Sequence, residues 1–183
     1  MTPARQALRQ ATRTHHDQVE DLLDVHRPLT DRSYARLLGV FLGLFEPAEA
    51  ALLAGPSGRS ASPARARFAA HDLEALAVPA EAIRRLPRAT VPVPRSAEAE
   101  LGLRYVLEGS SLGAVALARR VAHELPRAPS TFLRSARPRH WPRFLEQLEE
   151  AEGPTFDLPA ATGAAEATFA SLVSLAQDPV AAR

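Results

Sequence analysis

The chain has 183 residues, a net charge of +1 and no cysteine. The length suits one domain, taken as 1–183, with a core that buries about 70% of the unfolded surface. The charge balance gives no overall field favouring nucleic acid or a membrane surface, and the lack of cysteine excludes disulfides, iron–sulfur clusters and thiolate ligation. No strand-like alternation occurs, so the expected class is all-α, a helical bundle.

The first helix is expected over about 5–25. Leu8, Ala11, His15, Val19 and Leu22 recur at helical spacing and make one apolar stripe. His16 lies beside it, with Thr12, Val19 and Leu23. An imidazole at the edge of a buried face can be presented to a ligand lying between this helix and a second one. Arg9 and Arg13 precede His16 by two turns and one turn, on roughly the same side. Two turns is about 10 Å of rise, which separates a ligating group from an anion clamp.

Thr30-Asp31 is expected to cap a second helix running to about 54. Its buried side carries Tyr34, Leu37, Leu38, Phe41, Leu44 and Phe45, and Gly55-Pro56 marks its end. The stretch 55–64, rich in Gly, Ser and Pro, reads as a loop. Short helices are expected at about 63–77 and 79–86, followed by an extended connector over 87–95 that holds three prolines.

Ser96 caps a long helix that ends before Pro126. Two glycines, Gly109 and Gly113, sit four apart in its middle. Each costs about 1 kcal/mol relative to alanine, and with two adjacent serines they invite a kink. In return they expose backbone, which a flat ligand can approach closely. Close helix–helix packing uses small residues at the same spacing. Two further helices are expected at about 139–152, anchored in the core by Trp141, and at about 160–177. No apolar run is expected to be long enough for a transmembrane helix, and no signal peptide is visible. A cytoplasmic protein is expected.

Together the two glycine- and histidine-bearing segments resemble the haem oxygenase family. Leu8, Arg9, Ala11, Thr12 and His16 match the pattern of its proximal helix. Tyr105, Val106, Glu108, Gly109, Ser110, Leu112 and Gly113 match its distal helix in the bacterial form. The likeness covers most of the chain, is weak between 55 and 95, and points to short bacterial members, including those that serve bacterial phytochromes.

The resemblance implies a haem sandwiched between the proximal helix and a kinked distal helix, serving as both cofactor and substrate. His16 would ligate the iron, and O2 would be taken up on the opposite face against Gly109, Ser110 and Gly113. Arg9, Arg13 and Arg104 would lie toward the propionates, at a spacing from His16 that suits a haem laid along the helix. The ring would open to biliverdin, carbon monoxide and ferrous iron, with electrons from an external redox donor. A phytochrome is implied as a bilin acceptor.

Three positions depart from the family pattern. Ser110 stands where mammalian members carry an aspartate that anchors a water network. A hydroxyl can hold a water but brings no negative charge. Ala114 stands where many members have a second glycine. His15 occupies a place that is usually not histidine, and its stripe position argues for packing. His26, His71, His123 and His140 show no metal-ligand spacing, and Arg119 and Arg120 read as an outer surface able to dock an acidic partner. The alternative on the same scaffold is a non-catalytic haem-binding or haem-transfer protein. A thiamin-degrading enzyme of related fold would call for a nucleophilic cysteine, which this chain lacks.

Overall fold

The computed structural model describes residues 2–58 and 64–178. Eight helices and no strand occur among them: α1 (Pro3–Leu22), α2 (Asp31–Ala54), α3 (Arg65–Ala75), α4 (Ala80–Arg85), α5 (Ala97–Glu124), α6 (Thr131–Arg134), α7 (His140–Ala151) and α8 (Leu158–Gln177). The expected helices are present with boundaries shifted by a few residues, and α6 is an addition. Half of the 55–64 loop and the expected start of the third helix at 63 fall outside the described residues.

The helix starts follow the chain's own capping chemistry. Thr30 and Ser33 form a reciprocal capping box on α2, and Ser96 accepts from Ala99 N on α5, each satisfying donors that a helix leaves open. Other ends are satisfied from far away. Glu152 accepts from Ala4 N at the start of α1, and Asp72 accepts from Phe132 N at the start of α6. Arg36 donates to Leu22 O and Ala176 O, closing the carbonyl ends of α1 and α8 with one guanidinium.

Proline and glycine lock α2 to the connector. Pro47 lies inside α2 and has no N–H for the carbonyl one turn back. That carbonyl, Gly43 O, instead accepts from Ala89 N at 2.9 Å. A Cβ on Gly43 would meet Pro87 O at 2.5 Å, so only glycine admits the connector here.

α2 corrects one expectation. An 18-residue window within it has a mean hydropathy of 1.7, long and apolar enough to cross a membrane by composition. In the fold it is a core helix: Tyr34, Leu38, Val40 and Leu52 are fully buried, and α2 packs on α3 and α8. α8 also packs on α1 and α5. At Gly102 the α5 backbone approaches α8 so closely that a Cβ would lie 2.0 Å from Ala161 O. The Gly109–Gly113 segment does not interrupt α5, which runs as one continuous helix through it. The kink expected there does not break the helix, because the adjacent apolar turns on either side are held by tertiary packing.

Candidate functional site

α8 holds α1 and α5 to a common support, and between them opens a cavity of about 1150 Å³. Most small-molecule sites span ~300–1,000 Å³, so this one admits a ligand of macrocycle size. α1 contributes Arg9, Thr12, Arg13 and His16; α5 contributes Tyr105, Gly109, Ser110, Gly113 and Ala114. The remaining wall is largely apolar, built from Leu37, Phe41 and Phe45 of α2, Phe132 of α6 and Phe169 of α8.

His16 reaches the cavity because of register. The buried row of α1 is Ala4, Leu8, Thr12 and Val19, continued by Leu23 just beyond the helix. His16 fills the gap between Thr12 and Val19. The stripe expected through Ala11, His15 and Leu22 is therefore one residue off, and those three are only half-buried. His15 turns into the protein, where its Nδ1 is buried without a hydrogen-bond partner. His16 is 57% exposed because it opens onto the cavity. Its Nδ1 faces carboxylates, 3.8 Å from Glu20 Oε1 and 4.0 Å from Asp17 Oδ1. Nε2 is left for another ligand. The ring lies 6.1 Å from that of Phe169.

The two glycines of α5 play different parts. A Cβ on Gly109 would touch the Trp141 ring at 3.5 Å, an ordinary contact. A Cβ on Gly113 would meet nothing within 4 Å, so Gly113 leaves open space on the cavity side. Trp141 lines the cavity, stacks against Phe144 at 5.6 Å and meets the Tyr105 ring at a tilt, 5.3 Å away. Burial raises the Tyr105 hydroxyl above its usual pKa, opposed by a hydrogen bond with Thr12 and by Arg5 and Arg9. Tyr105 therefore stays a neutral hydroxyl at physiological pH.

Two sequence expectations change. Arg104 does not line the cavity: it donates to Gln147 at 2.8 Å and stacks on Phe144, both on α7. Its helical register carries it to the α5–α7 seam. Arg120 is not an outer-surface group. It donates to Val25 O and Arg27 O and pairs with Glu124, pinning the α1–α2 loop at the cavity rim. His26 and His123, both exposed, also line the cavity.

Arg65 is a lining residue that no motif pointed to. It is 2% exposed, lines the deep wall and donates to Ser110 Oγ at 3.0 Å. It lies in the stretch where no motif stands out, and nothing local announces a partner 45 positions away.

A cavity of this size, apolar in its depth, with His16, Arg9 and Arg13 on one helix and Gly109 and Gly113 on another, defines an all-α protein with room for a large ligand. The chain belongs to the heme oxygenase family, whose model matches residues 2–178. The activity that goes with it is haem oxygenase activity. Neither the curated proteins nor the solved structures give a match.

Proposed function

We propose that this chain binds haem between α1 and α5, with His16 as the iron ligand, and cleaves it with O2 to biliverdin, carbon monoxide and ferrous iron. The observation that carries the assignment is the placement of His16. It alone among the histidines continues the buried row of α1 and opens onto the cavity, with Nδ1 turned to Glu20. A carboxylate on one ring nitrogen fixes the tautomer and leaves the other free for a metal.

The residues present fit the group. Gly113 leaves room for a ring plane against α5, and Leu37, Phe41, Phe45 and Phe132 exclude water from the deep end. Arg9 and Arg13 stand at the wall on the His16 side, placed to hold carboxylates by charge-assisted hydrogen bonds. Haem supplies the iron centre at which oxygen is activated. The chain supplies orientation, a dry pocket and polar groups at Ser110 and Tyr105. An external redox protein or small reductant delivers the electrons, and a bilin acceptor such as a phytochrome is a partner for the product.

Aerobic turnover of the haem complex with product identification tests this reading. Conversion of a bound-haem spectrum to that of biliverdin is the expected result. A stable haem complex that never yields biliverdin supports the non-catalytic haem-binding alternative, and no spectral change on adding haemin removes both.

A further inference from the structure

Among the described residues, the deep wall of the cavity holds a buried cation that the reading above does not use. The Arg65 guanidinium carbon sits 4.6 Å from the ring centroids of both Phe45 and Phe132. The two rings stand edge to face at 85°, so the guanidinium lies over the corner they form, with cation–π attraction from both. Its position is set from behind. Glu49 Oε1 accepts from Arg65 N at 2.6 Å and Ala66 N at 3.2 Å, capping α3 from α2.

Ser110 is held by the same group. Arg65 Nη1 donates to Ser110 Oγ at 3.0 Å, and Ser110 Oγ lies 2.7 Å from Leu107 O, to which it donates. A hydroxyl has one proton. Ser110 gives it to Leu107, so toward the cavity it is only an acceptor. Arginine has five N–H donors, and Arg65 Nε is buried without a hydrogen-bond partner.

The surrounding charges have a direction. Arg65 and Ser110 line the cavity, whereas Glu49 and Glu108 do not. Burial raises both carboxyls above their usual range, and burial pushes the guanidinium down to about 10, still cationic at neutral pH. The cation and the Ser110 hydroxyl line the cavity, and the two carboxyls lie behind them.

We propose that Arg65 is a positioning residue for the ligand face opposite His16: it fixes Ser110 as an acceptor, and its buried positive charge favours a small anion on that face. The inference rests on reading the cavity as a haem site.

Azide titration of the ferric haem-loaded protein, compared with carbon monoxide titration of the ferrous form, tests it. Arg65→Met is expected to weaken azide binding about tenfold, through loss of the buried charge. Carbon monoxide, a neutral and poor acceptor, is expected to bind at the native level. Arg65→Lys keeps the charge and is expected to restore part of the azide affinity. A merely structural role would move both ligands together, and equal losses or native azide binding in Arg65→Met overturn the inference. Should Arg65→Met fail to fold, Arg65→Lys and Ser110→Ala carry the test: a shift in the azide-to-carbon-monoxide ratio supports it, and an unchanged ratio in both overturns it. A native protein that gives no Soret change with haemin overturns the cavity reading and this inference with it; a native complex with unresponsive variants overturns this inference alone.

Discussion

His16 Nδ1 and Glu20 Oε1 face each other at 3.8 Å across one turn of α1. The separation is slightly longer than a hydrogen bond, and a small rotation of either side chain closes it. The pair ties a ligand candidate to a second group that sets which nitrogen carries the proton.

Removing His16 should therefore separate ligation from folding. His16→Ala is expected to lose the imidazole-ligated haem spectrum and turnover while melting near the native temperature. His15→Ala is expected to keep the spectrum and change the melting temperature. Spectra and thermal melts of the two variants check this, and the reverse pattern would assign the ligand to His15.

Arg9 offers a graded test of the anion clamp. Charge-assisted hydrogen bonds contribute about 1.5–3 kcal/mol, and Arg9 is exposed at the cavity wall, which places it at the low end. Arg9→Ala is expected to weaken haem binding about tenfold, the factor that ~1.4 kcal/mol gives. Arg9→Glu should weaken it further, because repulsion replaces attraction. Equal, native affinity in both variants would remove Arg9 from the site.

The glycines of α5 should respond in opposite ways. Gly109→Ala adds a methyl in ordinary contact with Trp141 and is expected to stabilise the helix by up to about 1 kcal/mol, with haem still bound. Gly113→Leu projects into open cavity space and is expected to retain helicity while losing haem. Circular dichroism with haemin titration distinguishes the two; native haem affinity in Gly113→Leu would show that this glycine does not face the ligand.

Gly102 carries a packing prediction remote from the cavity. A Cβ there lies 2.0 Å from Ala161 O, a backbone atom, so α5 and α8 must separate to admit it. Gly102→Ala is expected to cost about 3 kcal/mol, the upper range for overpacking. Denaturant unfolding measures this, and a neutral result would mean that the helices yield without cost.

Glu124 gives the fold a pH dependence. Hydrogen bonds from Arg120 and from Leu29 N hold its carboxyl below the usual range. A depressed folded pKa contributes stability that is fully present above the unfolded value, ~4.3, and is lost as pH falls through the folded one. The melting gap between native protein and Glu124→Gln is therefore expected to be constant above about pH 5 and to close in more acid solution. A gap that widens on acidification would contradict the assignment.

Periodicity and capping chemistry determined the helical class and the course of α2 and α5, and the family resemblance paired the histidine helix with the glycine helix. Those signals are local: Thr30, Ser96 and Pro126 act within a turn of where they stand, and an apolar repeat reports which face of a helix is buried. Periodicity drew the α1 stripe through Ala11 and His15, with His16 beside it on the face of Thr12 and Val19. Tertiary packing moved the buried row onto that second face, through Leu8, Thr12 and Val19. The sequence placed Arg104 toward the propionates and Arg120 on an outer surface, and did not single out Arg65. The tertiary structure sent the first to the α5–α7 seam, the second to the loop at the cavity rim and the third over the rings of Phe45 and Phe132 beside Ser110. A guanidinium has no local preference strong enough to fix its partner. Its place is decided by which carbonyls, rings and hydroxyls the folded chain leaves within reach, and those come from residues 43 to 95 positions away.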